Sequence, residues 1–142
     1  MEATYGTTSK SGTAGVTLSA KQSDTPNAGS RIAAGAAGSI LNHSEHKIPV
    51  ETIKTAIKRL RELKMASIVC AGSPDMEAKI ARLKPDIMAI EPPKLIGGKI
   101  SVSEAEPRII AESVKRAKNI PLLVGAGIHT QEDAATARKL GA

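Results

Sequence analysis

Three short polar segments of this 142-residue sequence combine residue types that can do chemistry. The first, Asn42-His43-Ser44-Glu45-His46, sets two imidazoles beside a carboxylate. Two histidines and a carboxylate within four residues are of the types that ligate metal ions. The order of these residues matches neither helical zinc-protease motif, so no metal is expected. A polar strand end that caps the following turn is the plainer reading of the same residues. The second segment is Glu91-Pro92-Pro93, directly behind the apolar run 87–90. A carboxylate at the edge of a core is partly desolvated, and that makes it a better base. A surface glutamate ending a strand is the alternative. Downstream, Pro92 and Pro93 stiffen one side of a loop and Gly97 and Gly98 free the other, a construction suited to a lid. The third segment is Gly125-Ala126-Gly127-Ile128-His129-Thr130. Paired glycines let backbone N–H groups approach an anion, and a following helix N-terminus adds a favourable dipole. As a dinucleotide fingerprint it is incomplete, because Thr130 stands in the third glycine's place. A phosphate cradle of the barrel type fits better, with an unliganded tight turn as the alternative.

These segments need a frame that brings them together, and the sequence from Arg31 onward supplies one. Ser39 to Leu41 reads as a short strand, followed by Val50, Ile53, Ile57 and Leu60 at helical spacing with Pro49 at the helix's first turn. Ala66 to Cys70 is a second apolar strand, after which Ser73 caps a helix with Pro74 behind it and Met76, Ile80 and Leu83 as its buried stripe. Asp86 to Ile90 is a third strand. A helix beginning near Pro107 places Ile110, Val114 and Ala117 on one face. Pro121 to Val124 is the fourth strand, and the last helix opens on Thr130-Gln131-Glu132-Asp133, a spacing close to a capping box, and stops at Gly141. Strands alternating with helices predict parallel βα units, and chemistry then gathers at the C-terminal ends of the strands. All three polar segments fall there.

Composition narrows the function classes. The hydrophobic fraction is 41%, yet there is no Trp, no Phe and a single Tyr, so the core is aliphatic. Single-stranded nucleic acids are held by stacking bases on aromatic rings, and Tyr5 is the one ring of that kind, so no nucleic-acid partner is expected despite a net charge of +6. The single cysteine, Cys70, excludes an internal disulfide and a cysteine-based zinc site and fits a reducing, cytoplasmic setting. No apolar run approaches the roughly 18 residues of a membrane span, and no secretory leader is legible. Residues 1–30 hold only Val16 and Leu18 as large aliphatics and read as a Gly/Ser/Thr-rich loop or disordered arm. Their charges, Glu2 and Asp24 against Lys10 and Lys21, cancel. The whole positive balance therefore belongs to residues 31–142, taken as the folded part.

Taken jointly, the runs Gly38-Ser39-Ile40-Leu41-Asn42-His43-Ser44-Glu45, Ile90-Glu91-Pro92-Pro93-Lys94-Leu95-Ile96-Gly97 and Val124-Gly125-Ala126-Gly127-Ile128 closely resemble the triosephosphate isomerase family in its compact archaeal form. The resemblance implies an incomplete (β/α)8 barrel of about four parallel βα units, covering the family's fourth to seventh strands. By resemblance His43 is the electrophile and Glu91 the base that moves a proton between dihydroxyacetone phosphate and glyceraldehyde 3-phosphate through an enediolate, a step of glycolysis and gluconeogenesis. Asn42, Ser44 and Glu45 take supporting roles. Ile96 and Gly97 correspond to the lid tip, and Gly125 and Gly127 to a second phosphate-binding loop. No metal or organic cofactor is implied, the ligands are triose phosphates, and the complete protein is expected to be a homo-oligomer.

Some features depart from the family pattern. His46 and Lys47 stand where arginines are usual, and only Tyr5-Gly6 faintly matches the family's loop after the third strand. The family's asparagine and lysine after the first strand, and the glycines after the eighth, have no counterpart in these residues. Loss of one preorganised donor typically costs on the order of 10²-fold in rate, so the chain alone is expected to be inactive or nearly so. A barrel of this type takes about 250 residues, which makes the length the most unusual figure in the composition. Two alternatives are a half-barrel phosphate-binding or assembly module without catalysis, and another phosphosugar enzyme on the same barrel.

Overall fold

The computed structural model describes residues 36–92 and 107–142. The expected arm and lid, including Ile96 and Gly97, lie outside the described residues. Within them the order is β1 (Gly38–Leu41), α1 (Val50–Glu62), β2 (Ala66–Ala71), α2 (Pro74–Leu83), β3 (Ile87–Ile90), α3 (Pro107–Ala117), β4 (Leu122–Val124) and α4 (Gln131–Lys139). The strands form one sheet in the order β1-β2-β3-β4, every neighbouring pair parallel. The expected four βα units of an incomplete barrel are thus what the chain forms.

Local chemistry sets the helix boundaries. Pro49 precedes α1 rather than opening it, and Ile53, Ala56, Ile57 and Leu60 are the face it buries. At α2, Ser73 Oγ accepts from the Met76 N–H and Pro74 begins the helix. At α4, Thr130 and Asp133 form the full reciprocal capping box. Two expected stripes need correction. On α2 only Ile80 of the three apolar positions is fully buried, and Glu77 is buried in their company, at 3% exposure. On α3, Ser113 is buried between Ile110 and Ala117, and Val114 is only half-buried. One contact explains both: Ser113 Oγ donates to Glu77 Oε1 at 2.8 Å, and Arg116 holds Glu77 Oε2 at 3.2 Å. A buried carboxylate is tolerable when its oxygens are so satisfied.

The sheet has two unlike faces, set by the alternation of side chains along each strand. Leu41, Val69, Met88, Ile90 and Leu122 face the helices and belong to the core. The register pairs Ile40 with Ile68, Ile68 with Ile87, Cys70 with Ala89, and Ala89 with Leu123, which places these residues on the opposite, inner face. Leu123 is 48% exposed there. β2 starts at Ala66 as expected, whereas β1, β3 and β4 each start one residue away from the expected position. Pro121 lacks an N–H and contributes only its carbonyl, to Met88 N, while the Asp86 side chain turns back to bind Ser67.

Candidate active site

Because all four strands run the same way, the residues after them share one rim. Backbone bonds at that rim carry the register past the strands themselves: Glu91 N donates to Ala71 O, and Gly125 N donates to Ile90 O. His43 follows β1 and Glu91 follows β3, with β2 between them.

The loop that presents His43 is fixed by Asn42. This residue has φ of 59°, a left-handed turn that asparagine tolerates better than most residues. Its side chain is 5% exposed; Nδ2 donates to Cys70 O at 2.8 Å, and Oδ1 accepts from Ile48 N at 3.0 Å. One side chain therefore ties the end of β1 to β2 and closes the loop behind the histidine. His46 N donates to His43 O at 2.8 Å to complete the turn. His43 Nδ1 accepts from the Glu45 N–H at 3.4 Å. In a neutral ring, an acceptor at Nδ1 leaves Nε2 as the donor. That nitrogen lies 3.6 Å from Glu91 Oε2. The Glu45 carboxylate, 3.7 Å from Nδ1, is 75% exposed and solvated, so the backbone contact governs the ring.

Glu91 is the more enclosed partner, its side chain 13% exposed and its Oε2 buried without a hydrogen bond. A separation of 3.6 Å is too long for the histidine to satisfy it. An orphan carboxylate oxygen costs free energy, and such groups concentrate at functional sites. Room for this side chain comes from Gly125: a Cβ there would stand 2.9 Å from both Cγ and Oε1 of Glu91. Sequence spacing pointed to Gly125 as a phosphate contact and gave no hint of this second task. Cys70 is the neighbour of Glu91 that spacing missed. Burial, then the negative charge of Glu91 and a hydrogen bond to it, push the Cys70 thiol well above its ordinary value. The available signal was strand parity, since Cys70 pairs with Ala89, two residues before Glu91 on the same face.

The remaining expected residues are placed as follows. Ser44 Oγ is buried without a partner. Gly127 has φ of 68°, a left-handed conformation that glycine adopts without steric cost. Beyond it the helix end is closed by the chain itself: Asp133 Oδ2 accepts from the N–H groups of both His129 and Thr130. The expected dipole contribution of α4 to an anion is thereby answered by an internal carboxylate. Among the described residues no group of three or more His, Cys, Asp or Glu side chains is arranged to hold a metal.

Residues 30–142 match the family model described as triosephosphate isomerase. A curated triosephosphate isomerase of Archaeoglobus fulgidus is 46% identical over 112 residues, which is 76% of this chain and 50% of that protein. The protein of the same name from Sulfurisphaera tokodaii is 46% identical over 77% of this chain and 49% of its own length. That from Methanothermobacter thermautotrophicus is 45% identical, again over 77% and 49%. The chain spans about half the length of the curated relatives it matches.

Proposed function

Because the chain belongs to the triosephosphate isomerase family, we propose that its four βα units form part of a barrel that interconverts dihydroxyacetone phosphate and glyceraldehyde 3-phosphate. The observation that supports this reading is the approach of an unpartnered, buried Glu91 carboxylate oxygen to His43 Nε2, at 3.6 Å. Glu91 takes a proton from one substrate carbon and returns it to the neighbouring carbon. The Nε2–H of His43 donates to the substrate oxygen on which negative charge accumulates in the enediolate. Asn42 and Glu45 position the ring, and Ser44 lines the same turn. Gly125 and Gly127 serve the phosphate-bearing end, together with Ile96 and Gly97. The setting is the cytoplasm, and the complete assembly is a homo-oligomer.

By themselves these 142 residues turn triose phosphates over slowly or not at all, since the family's lysine and asparagine are not among them. The test joins this chain to the missing βα units of the Archaeoglobus relative and assays isomerisation. Turnover is expected, reduced by roughly 10²–10⁴-fold in Glu91→Gln and by about 10²-fold or more in His43→Gln. Triose phosphate binding without turnover in the joined protein would instead favour a binding module. Equal turnover by the joined protein and its Glu91→Gln variant would discard the assignment of the base.

A further inference from the structure

At the end of the sheet opposite His43 and Glu91, α2 and α3 part to leave a cleft of about 730 Å³. Its floor is apolar, built from Ala78 and Ala81 of α2, Ala117 at the end of α3 and Ile120 in the turn to β4. Its rim is cationic. Arg116 is already committed, at 3.2 Å to Glu77 and 2.8 Å to Glu112. Arg82, Lys84 and Lys118 are different: no carboxylate lines the cleft, and none among the described residues pairs with them.

A lysine near a helix end is ordinarily explained by the helix dipole, and that explanation can be weighed. Lys84 and Lys118 have φ of 52° and 60° just past α2 and α3, so two helix C-termini converge here. Each end carries about −0.5 of a charge, roughly −1 together. Part of that is already answered, because Arg61 Nη2 donates to the Lys84 carbonyl at 2.9 Å. Three unpaired cations against about −1 leave an excess of about +2, which capping alone does not use. A phosphate monoester carries about −1.5 to −2 near neutral pH. The volume falls within the range of roughly 300–1,000 Å³ typical of small-molecule sites, and an apolar floor under a few polar groups is their usual make-up.

We propose that this cleft binds a small organic phosphate monoester, its dianion held by Arg82, Lys84 and Lys118 and its apolar body resting on Ala78, Ala81 and Ile120. The position is separate from the isomerase rim, so the proposal stands or falls independently of the catalytic reading.

The test is a methyl NMR titration of the 142-residue chain labelled at alanine and isoleucine, using phenyl phosphate, inorganic phosphate and phenol. Phenyl phosphate is expected to shift the Ala78, Ala81 and Ile120 methyls saturably, with inorganic phosphate about tenfold weaker for want of an apolar body and phenol not saturating. Lys84→Ala and Lys118→Ala should each weaken phenyl phosphate by about tenfold, as loss of a charge-assisted contact does. Arg82→Gln, on an exposed helix position, is the second variant if either lysine change perturbs the fold. Lys64→Ala is the control: it removes a lysine of the same left-handed conformation, φ 54°, after α1, outside the cleft. Silent methyls, equal binding of phenyl and inorganic phosphate, or equal weakening by Lys64→Ala and Lys84→Ala would overturn the proposal.

Discussion

Gly125 and Glu91, on neighbouring strand ends, occupy complementary space: the hydrogen of the glycine leaves the gap that the carboxylate side chain fills, and a Cβ would intrude to 2.9 Å of Cγ and Oε1. The first prediction follows. Gly125→Ala should displace Glu91, lowering stability by about 1–3 kcal/mol through overpacking and shifting the His43 ring resonances. Chemical denaturation measures the first effect and imidazole NMR the second. In the Glu91→Ala background the same substitution should cost little, because the side chain it strikes is gone. An unchanged cost in that background would show that the clash is with something else.

The second prediction concerns Cys70, buried at 2% exposure behind Glu91. Its folded value is raised above the ordinary 9.0, so its contribution to stability is complete below that pH and is lost as pH rises beyond it. Alkylation of the native chain at pH 8 should accordingly track global unfolding rather than an exposed thiol's rate. Glu91→Gln removes the negative charge and leaves burial, so the thiol should titrate lower than in the parent chain. Rapid labelling of the folded parent would contradict this arrangement.

Acid provides the third. Hydrogen bonds from the Ser67 backbone and hydroxyl, aided by Arg61, hold the Asp86 carboxyl below its ordinary 3.8. A depressed value means that the stabilisation is present above about pH 4 and disappears as pH falls through the lowered value. Asp86→Asn should cost on the order of 1 kcal/mol at neutral pH and flatten the acid limb of a stability–pH profile. A limb of undiminished slope would place the acid sensitivity elsewhere.

The fourth contrasts two ways of disturbing the Glu77 contact between α2 and α3. Arg116→Met strips a charged partner from a carboxylate that is 3% exposed and should cost about 2 kcal/mol. Glu77→Met should cost less, because it removes the buried charge as well and Arg116 keeps Glu112 at 2.8 Å. Denaturant titration of both variants decides the order, and the reverse order would mean that the pair is a net source of stability.

Much of this protein is set locally. Ser73-Pro74 and the Thr130 to Asp133 box fix helix starts through hydrogen bonds spanning three residues, and such bonds can be read from spacing. The apolar runs of β1 to β4 likewise declare themselves, and with them the rim on which His43, Glu91 and Gly125 had to fall. The family was legible for the same reason, since its motifs are short and contiguous. What tertiary structure decided were relations between residues that no local pattern links. Glu77 is buried on a face that periodicity assigned to Met76 and Leu83 because α3 happens to offer Ser113 and Arg116 opposite it. Cys70 comes to lie against Glu91, and Gly125 yields it space, because strand register sets which side chains share the inner face. The +6 charge was countable from composition, but whether it is spread over the surface or gathered at Arg82, Lys84 and Lys118 depends on where the ends of two helices meet. Backbone hydrogen bonding is local enough to be written in sequence, whereas side-chain burial and charge are properties of neighbours that only the fold assembles.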